Sequence, residues 1–317
     1  MPTDYVILGA SGYIGQAFVE ELEKRGRTYI PLSRSIVDYT RFRPLLNFLQ
    51  EVKPQFLINS AGYTGKPNVD ACEKARNDTI LGNITLVEAV ANACDVAGIP
   101  FGHVSSGCIY SGAKLRIDGK VRVAKNLMDP EIKPLWEKNR DVVEGFTEKD
   151  ESNFSFDDPP CSFYSGTKAA AEKLLKRYDN HFVWRLRIPF DERDNPRNYL
   201  TKLMTYPKLY DNANSLSHRG DFARVCVELW EQRSKLGTYN VANKQWITTR
   251  DVGALLRQYR DASLRLRFFE NEDHFYKEAA VTPRSNAIMS VDAVTSLGID
   301  LLPIQEALER SLINWSQ

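Results

Sequence analysis

The stretch Tyr5-Val6-Ile7-Leu8-Gly9-Ala10-Ser11-Gly12-Tyr13-Ile14-Gly15 decides how this chain folds. Its first four residues predict a short buried strand, and apolar residues at 14, 18 and 22 predict a helix directly after the glycines. A glycine turn in this position lets the backbone approach a pyrophosphate, which then lies against the helix N-terminus. The alternative is a tight turn that binds nothing. Because both flanking elements are present, we favour a dinucleotide site with contacts from Gly9, Ser11, Gly12, Tyr13, Ile14 and Gly15.

Arg34 bears on which dinucleotide would bind. Thr28 to Leu32 predicts the second strand, at whose end an NAD-binding protein usually carries a carboxylate for the ribose hydroxyls. This chain has Ser33-Arg34-Ser35 there instead. A guanidinium with neighbouring hydroxyls suits a 2′-phosphate, so Ser33 and Arg34 favour NADPH over the alternative of a solvated arginine.

Strands and helices continue to alternate after this point. Phe56 to Asn59 predicts a third strand that leaves through Ser60-Ala61-Gly62, small residues over which a cofactor can pass. A helix is predicted over Thr79 to Ala97 and a fourth strand over Pro100 to Val104. This alternation is typical of the α/β class with a doubly wound parallel sheet of the Rossmann type.

The fourth strand ends in Ser105-Ser106-Gly107-Cys108. Ligands of such sheets bind beyond the carboxyl ends of the strands, so these side chains are candidates for the site. If the extended conformation persists, Ser106 and Cys108 point the same way. The alternative for Cys108 is the commonest state of a free cysteine, a small buried apolar side chain.

Tyr164-Ser165-Gly166-Thr167-Lys168 places a phenol and an ammonium group four residues apart, in a stretch rich in helix formers. This spacing puts both side chains on one helix face. A lysine beside a tyrosine favours the phenolate and should lower the tyrosine pKa, which gives an acid/base pair. Taken alone, the pattern more often reflects a snorkelling lysine beside a half-buried tyrosine.

The second half of the chain predicts a separate, smaller unit. Lys114 to Ala124 has the alternation of a hairpin around Asp118-Gly119, within an insertion over 111–145. A solvated flap is favoured for this insertion, and a lid is the alternative. Later elements are predicted over 182–188 (strand), 220–232 (helix), 239–241 (strand), 249–259 (helix), 264–269 (strand) and 303–315 (helix). We therefore expect a nucleotide-binding domain over 1–187, with 218–245 packing back on it, and a C-terminal α/β substrate-binding domain over 188–217 and 246–317.

Composition limits the partners of the protein. The 317 residues carry a net charge of +1, which supplies no field for nucleic acid or an anionic membrane, so phosphates must be met by local groups. The N-terminus shows no signal peptide pattern. Five scattered cysteines and four histidines lack metal-ligand spacing, so we predict no metal and a reducing cytoplasm.

Taken together, the glycine turn, Ser106 at the end of the fourth strand, and Tyr164-x-x-x-Lys168 resemble an extended short-chain dehydrogenase/reductase over the whole chain. The resemblance implies that Lys168 holds the nicotinamide ribose and lowers the pKa of Tyr164. It implies that Tyr164 exchanges the proton and that Ser106 binds the substrate oxygen.

Further blocks are similar to the dTDP-4-dehydrorhamnose reductase branch, and more closely to the reductase/epimerase domain of plant UDP-rhamnose synthases. They are 61–70 (AGYTGKPNVD), 106–109 (SGCI), 162–165 (SFYS), 195–202 (NPRNYLTK) and 283–286 (PRSN). This resemblance implies that Cys108 and Lys202 serve 3,5-epimerisation and that Arg284 meets the nucleotide diphosphate. It also makes Asn68 and Asn198 candidate substrate contacts.

The sequence therefore predicts an NADPH-dependent 3,5-epimerase/4-reductase acting on a UDP- or dTDP-linked 4-keto-6-deoxyhexose. Two alternatives remain: a plain 4-reductase, and a non-catalytic NADP-binding subunit similar to the methionine adenosyltransferase regulatory subunit. Related proteins often pair two long helices across a dimer, so we expect a homodimer through 79–97 and 162–178.

Overall fold

Strands and helices alternate through the first 106 residues of the computed structural model, which describes residues 3–316. In chain order these elements are β1 (Tyr5–Leu8), α1 (Tyr13–Lys24), β2 (Tyr29–Leu32), α2 (Phe42–Val52), β3 (Phe56–Asn59), α3 (Asp70–Lys74), α4 (Arg76–Ile80), α5 (Leu86–Ala97) and β4 (Phe101–Ser106).

The remaining elements follow a less regular order. They are β5 (Ala113–Ile117), β6 (Lys120–Ala124), α6 (Lys133–Lys138), β7 (Val143–Glu144), α7 (Phe163–Leu175), β8 (His181–Leu186), β9 (Pro189–Phe190), α8 (Tyr199–Thr205), β10 (Ala213–Asn214), β11 (Ser217–His218), α9 (Arg219–Glu231), β12 (Gly237–Val241), β13 (Ile247–Thr248), α10 (Thr249–Tyr259), α11 (Glu272–Glu278), α12 (Asp292–Thr295) and α13 (Ile304–Ile313).

Six parallel strands form the central sheet in the order β12-β8-β4-β3-β1-β2. The chain winds outward in both directions from β1 and β3, so the carboxyl ends of these strands flank a crevice suited to a ligand. The predicted doubly wound α/β fold is confirmed.

Apolar side chains cover both faces of the sheet. In β1, Tyr5 and Ile7 belong to one cluster with Trp184, whereas Val6 and Leu8 belong to the other. This alternation explains why the strand is an unbroken apolar run. Residues 289–301 also supply side chains to the first cluster, although the domain division predicted above assigns them to the smaller C-terminal domain. That division otherwise stays a prediction.

The helical stretch before β4 is longer than predicted. It begins at Arg76 rather than Thr79, and α4 and α5 are joined by a π-helical turn, Leu81–Thr85. By length and composition alone, Arg76–Ala97 is the one described helix that could cross a membrane, but it packs against α2 and α7 as core helices of globular proteins do. The predicted homodimer through this stretch and α7, and the predicted cytoplasmic location, stay predictions.

The insertion over 111–145 is a packed unit rather than the solvated flap that we predicted. Its hairpin, β5 and β6, gains a third strand from β7 in the order β6-β5-β7. Leu115 and Trp136 are buried together with Trp246 from the C-terminal half. Alternation in the sequence indicated the hairpin, but the aromatic contacts depend on distant residues.

One other predicted element is wrong. Residues 264–269 do not form a strand, because only a single bridge joins Phe268 to Leu209. The apolar residues that suggested a strand pack instead into the cluster of the C-terminal domain, which includes Leu264 and Leu266.

A buried ion pair joins the helix α7 to the sheet. The Arg185 guanidinium donates to Glu172 Oε2 from Nη2 at 2.8 Å, and both side chains are less than 10% exposed. Ser105 Oγ donates to Glu172 Oε1 at 2.5 Å, and Arg185 Nη1 donates to the Tyr110 hydroxyl at 2.8 Å. The network fixes α7 against β4 and β8.

Removing one charge of this pair should strongly destabilise the fold. We expect Glu172→Gln to lower the free energy of unfolding by about 3–5 kcal/mol, because Arg185 then remains buried without a counter-charge. The matched control is Asp157→Asn, which breaks the exposed pair with Lys173 and should leave stability nearly unchanged. Urea denaturation measures both variants, and equal effects would contradict the buried-pair account.

Candidate active site

A cavity of about 490 Å³ opens at the carboxyl ends of the central strands. It is lined by Gly12, Tyr13, Ile14, Ser60, Ala61, Gly62, Thr64, Asn68, Val69, Asn83, Val104, Ser105, Ser106, Cys108, Ser162, Tyr164, Ser165, Lys168, Leu186, Arg187, Ile188, Pro189, Arg197, Lys202, Pro283, Arg284 and Ser285. The two halves of the chain both contribute to this wall, whereas no residue of the insertion lines it.

The glycine turn has the shape that a pyrophosphate needs. Gly9 has a φ of +75°, and a Cβ there would lie 2.7 Å from the Ala61 nitrogen. A Cβ at Gly15 would lie 2.1 Å from the Gly9 oxygen. Gly12 precedes α1, no side chain caps the helix, and its first residues line the cavity, so the first N–H groups are available to an anion. Ser11 is exposed and does not line the cavity.

Asn83, which the sequence did not single out, holds the backbone directly after the predicted cofactor contacts Ser60, Ala61 and Gly62. Ser60, Ala61 and Gly62 line the cavity as predicted. Asn83 Oδ1 accepts from the Tyr63 nitrogen and its Nδ2 donates to the Tyr63 oxygen, both at 2.9 Å. This side chain lies in the π-helical turn, a feature often found at functional sites. No local pattern in the sequence marks such a turn.

Tyr164 and Lys168 both face the cavity from α7, whose first turn is capped by Ser162. Lys168 Nζ donates to the Val104 oxygen at 3.0 Å. Burial lowers the Lys168 pKa to about 8. The sequence led us to expect a lowered Tyr164 pKa, but burial and the nearby Cys108 raise it, while a hydrogen bond with Ser106 acts in the opposite direction. Desolvation outweighs any effect of the lysine on the phenol.

Ser106 and Cys108 meet in the cavity by a different geometry from the one predicted. The extended conformation ends at Ser106, and Gly107–Ile109 form a 3₁₀ turn in which the Cys108 nitrogen donates to Ser106 Oγ at 3.2 Å. Burial raises the pKa of the Cys108 thiol, although hydrogen bonds with Ser106 and Ser165 oppose this. Both side chains nevertheless line the same wall as Tyr164.

The cavity wall contains five cationic side chains and no carboxylate among the described residues: Lys168, Arg187, Arg197, Lys202 and Arg284. Burial lowers the pKa of Lys202, and the neighbouring Arg197 adds to the effect. Neither of these two side chains makes a hydrogen bond or ion pair with residues 3–316. Unneutralised cations around a cavity indicate an anionic ligand.

Arg187 and Arg197 are site residues that sequence reasoning missed. Arg187 is 4% exposed, and its Nη2 donates to Asn214 Oδ1 at 2.5 Å and to the Ser285 oxygen at 2.6 Å. Its partners are neutral, so burial lowers the Arg187 pKa to about 10. The only sequence signal for Arg187 was its position at the end of a predicted strand. Arg197 lies in the 195–202 block that resembles the plant enzymes.

The predicted substrate contacts separate into two groups. Asn68 and Arg284 line the cavity, but the Arg284 guanidinium already donates to both oxygens of Asp70, at 2.7 and 2.6 Å. Asn198 does not line the cavity. It is fully buried and caps α8, accepting from the Leu200 nitrogen at 3.0 Å.

The predicted 2′-phosphate contacts lie away from this wall. Ser33 and Arg34 follow β2, are exposed, and do not line the cavity. Ser33 Oγ and Ser35 Oγ lie 2.8 Å apart. The end of β2 adjoins β1, so the pair flanks the glycine turn on the side away from Tyr164.

The fold and this cavity together define an extended short-chain dehydrogenase/reductase, as the sequence predicted. Residues 3–316 match the family described as RmlD substrate binding domain, and the chain belongs to that family. The predicted oxidoreductase class is confirmed by the reductases among the relatives described next.

Two plant relatives carry both activities in their names. A bifunctional dTDP-4-dehydrorhamnose 3,5-epimerase/dTDP-4-dehydrorhamnose reductase of Arabidopsis thaliana is 29% identical over 306 residues, covering 96% of this chain and 91% of that protein. A trifunctional UDP-glucose 4,6-dehydratase/UDP-4-keto-6-deoxy-D-glucose 3,5-epimerase/UDP-4-keto-L-rhamnose-reductase of the same plant is 30% identical over 305 residues. That match covers 96% of this chain, which spans 41% of the trifunctional protein.

Solved structures share the fold. The L780 UDP-rhamnose synthase from Acanthamoeba polyphaga mimivirus superposes with a TM-score of 0.81 at 21% identity, covering 99% of this chain and 100% of that one. A dTDP-4-dehydrorhamnose reductase from Bacillus anthracis, solved in complex with NADP, gives a TM-score of 0.73 at 19% identity, covering 99% and 98%.

The raised pKa of Cys108 has a measurable consequence. The thiolate is the reactive form, so alkylation of Cys108 by iodoacetamide should rise roughly tenfold per pH unit between pH 7 and 9. Mass spectrometry of the Cys108 peptide measures the rate, and Cys108→Ser confirms the assignment. A rate that levels off near neutral pH would show that the thiol pKa is lowered, contrary to the burial of this side chain.

Proposed function

We propose that the protein is an NADPH-dependent enzyme that inverts C3 and C5 of a nucleotide-linked 4-keto-6-deoxyhexose and then reduces the C4 ketone. UDP is favoured over dTDP, and the product is a rhamnose-type nucleotide sugar. The observation that carries this proposal is the single cavity wall shared by Tyr164, Lys168, Cys108 and Lys202. A cationic wall without carboxylates supports a substrate that carries a diphosphate.

The residues of the glycine turn fit a dinucleotide. The uncapped N-terminus of α1 suits the pyrophosphate, Ser60-Ala61-Gly62 leave space beside it, and Ser33 and Arg34 suit a 2′-phosphate. When bound, NADPH supplies a hydride to C4 of the sugar. Lys168, held by the Val104 oxygen, is placed to hydrogen-bond the ribose beside the nicotinamide.

Epimerisation needs an acid and a base on opposite faces of the sugar ring. The C4 ketone acidifies the protons on C3 and C5, so removal of either proton gives an enolate. A lowered pKa favours the neutral amine of Lys202 as the base, and a raised pKa keeps Cys108 protonated as the acid. Each inversion moves one proton from carbon onto Lys202 and one from Cys108 to carbon, and proton exchange with solvent restores the neutral amine and the thiol before the second inversion. Ser106 and Tyr164 stabilise the enolate oxygen.

Reduction uses the same Tyr164 hydroxyl, in the same cavity. As hydride reaches C4, the ketone oxygen becomes an alkoxide and takes a proton from the Tyr164 hydroxyl. The raised pKa of Tyr164 supports this role, because the phenol remains protonated until a stronger base forms beside it. Lys168 then lies one helical turn away, close to the phenolate that the transfer leaves.

A plain 4-reductase is the rival within this family. It would need Tyr164, Lys168 and Ser106 but would have no use for Cys108 or Lys202. A non-catalytic NADP-binding subunit would need none of the five. The presence of an unpaired Lys202 amine and a buried Cys108 thiol in one cavity favours the bifunctional enzyme.

The two half-reactions should separate by mutation. With UDP-4-keto-6-deoxyglucose and NADP⁺ in D₂O, the parent enzyme should incorporate deuterium at C3 and C5. Cys108→Ser and Lys202→Met should slow this incorporation by about 10²–10⁴-fold, the usual contribution of a general acid or base. NMR of the recovered sugar measures the exchange.

Reduction of a sugar that is already epimerised provides the control. Cys108→Ser should still reduce UDP-4-keto-rhamnose with NADPH, whereas Tyr164→Phe should lose that reduction by a similar factor. Unchanged deuterium incorporation in Cys108→Ser would refute epimerisation by this cavity. Unchanged reduction in Tyr164→Phe would refute the assignment of the proton donor.

Substitution of Arg34 tests whether the protein prefers NADPH over NADH. Loss of a charge-assisted hydrogen bond costs about 1.5–3 kcal/mol, so Arg34→Ala should raise the KM for NADPH by roughly 10- to 100-fold and leave that for NADH unchanged. Arg43→Ala, which removes another exposed arginine near β2, is the matched control. Equal losses with both cofactors would show that Arg34 does not contact a 2′-phosphate.

A further inference from the structure

Tyr13 connects the glycine turn to the opposite side of the cavity. Tyr13 lines the cavity, and its hydroxyl donates to Asp191 Oδ1 at 2.7 Å. Asp191 lies just after β9, in the segment that leads to α8. The hydrogen bond therefore joins the turn proposed to hold the pyrophosphate with the segment that carries Lys202.

Asp191 also forms hydrogen bonds with Asn198. The Asn198 amide nitrogen donates to Asp191 Oδ1 at 2.9 Å and to the Asp191 main-chain oxygen at 2.8 Å. Asp191 and Asn198 are 2% and 0% exposed. Hydrogen bonds to a buried carboxylate are strong and short, so the two side chains move together.

Asn198 in turn sets the position of Lys202. Its Oδ1 caps α8 by accepting from the Leu200 nitrogen at 3.0 Å, and its main-chain oxygen accepts from the Lys202 nitrogen at 3.1 Å. The Lys202 amine makes no hydrogen bond or ion pair with the described residues. Its place in the cavity therefore depends on the position of α8.

Arg219 holds the two ends of this connection together. Its Nε lies 2.9 Å from Asp191 Oδ2, and its Nη1 donates to the Tyr13 main-chain oxygen at 3.0 Å. The guanidinium also lies over the Tyr13 ring, 5.0 Å from its centre, and the residue is 3% exposed. A displacement of the glycine turn is thus transmitted to Asp191 through both the side chain and the backbone of Tyr13.

We propose that Tyr13, Asp191 and Asn198 form a positioning relay through which a dinucleotide bound at the glycine turn orders α8 and places Lys202 beside the sugar. Asp191 is a positioning residue, since it lies outside the cavity wall and acts through Asn198. The inference rests on the proposed function for the roles of the dinucleotide and Lys202. It adds that epimerisation depends on cofactor occupancy even when no hydride is transferred.

Amide hydrogen exchange of α8 tests the relay without relying on activity. Saturating NADP⁺ should slow exchange over 199–205 by at least about fivefold in the parent, the ratio that corresponds to one hydrogen bond of about 1 kcal/mol. In Tyr13→Phe the peptides of the glycine turn should still be slowed, which shows that the cofactor binds, whereas α8 should not respond.

Tyr29→Phe is the matched control. Its hydroxyl also donates to a carboxylate at 2.7 Å, that of Glu23, on the exposed surface away from the cavity. This variant should behave like the parent. Slowing of α8 in Tyr13→Phe to the parent extent, or no slowing of α8 in the parent while the glycine turn is slowed, would overturn the relay.

Deuterium incorporation at C3 and C5 separates the relay from the proposed function. NADP⁺ should accelerate incorporation in the parent and in Tyr29→Phe, and the ratio with and without NADP⁺ should fall to about one in Tyr13→Phe. If the parent incorporates no deuterium although α8 responds to NADP⁺ as expected, the relay stands and epimerisation fails.

Discussion

The concentration of positive charge around one cavity is the constraint that organises this protein. The chain as a whole has a net charge of +1, yet the residues of 3–316 that line the cavity include five cationic side chains and no carboxylate. Burying such a group without a counter-charge is unfavourable unless other contacts offset the cost. Arg284 is paired with Asp70, whereas Lys168 donates to a main-chain oxygen and Arg187 to an amide and a main-chain oxygen. The positive charge that protein carboxylates do not neutralise can attract an anionic ligand.

Burial also sets the protonation states of the groups that the proposed chemistry uses, because it favours the uncharged form of each. Desolvation disfavours every charged form, so it lowers the pKa of Lys168 and Lys202 and raises that of Cys108 and Tyr164. A larger fraction of the amines is then uncharged and able to accept a proton, while the thiol and the phenol remain proton donors. One cavity can therefore supply a base and two acids, which is what two inversions followed by a reduction require.

The sequence predicted the parts of the site that are local in the chain. The glycine turn, Ser106 with Cys108, and Tyr164 with Lys168 are short patterns whose spacing within one element already brings them together. The contacts that the sequence missed join distant segments. Asn83 braces Tyr63 from a π-helical turn, Asn198 became a helix cap rather than a substrate contact, and Tyr13 reaches Asp191 across 178 positions. The pKa of Tyr164 was predicted in the wrong direction because burial cannot be judged from spacing alone.

We propose that one cavity performs both the inversions and the reduction. The most direct measurement is NMR of the product formed from UDP-4-keto-6-deoxyglucose and NADPH in D₂O. We expect a rhamnose-type product with deuterium at C3 and C5 and with protium, delivered by NADPH, at C4. A reduced 6-deoxyhexose that keeps the original configuration and protium at C3 and C5 would contradict it.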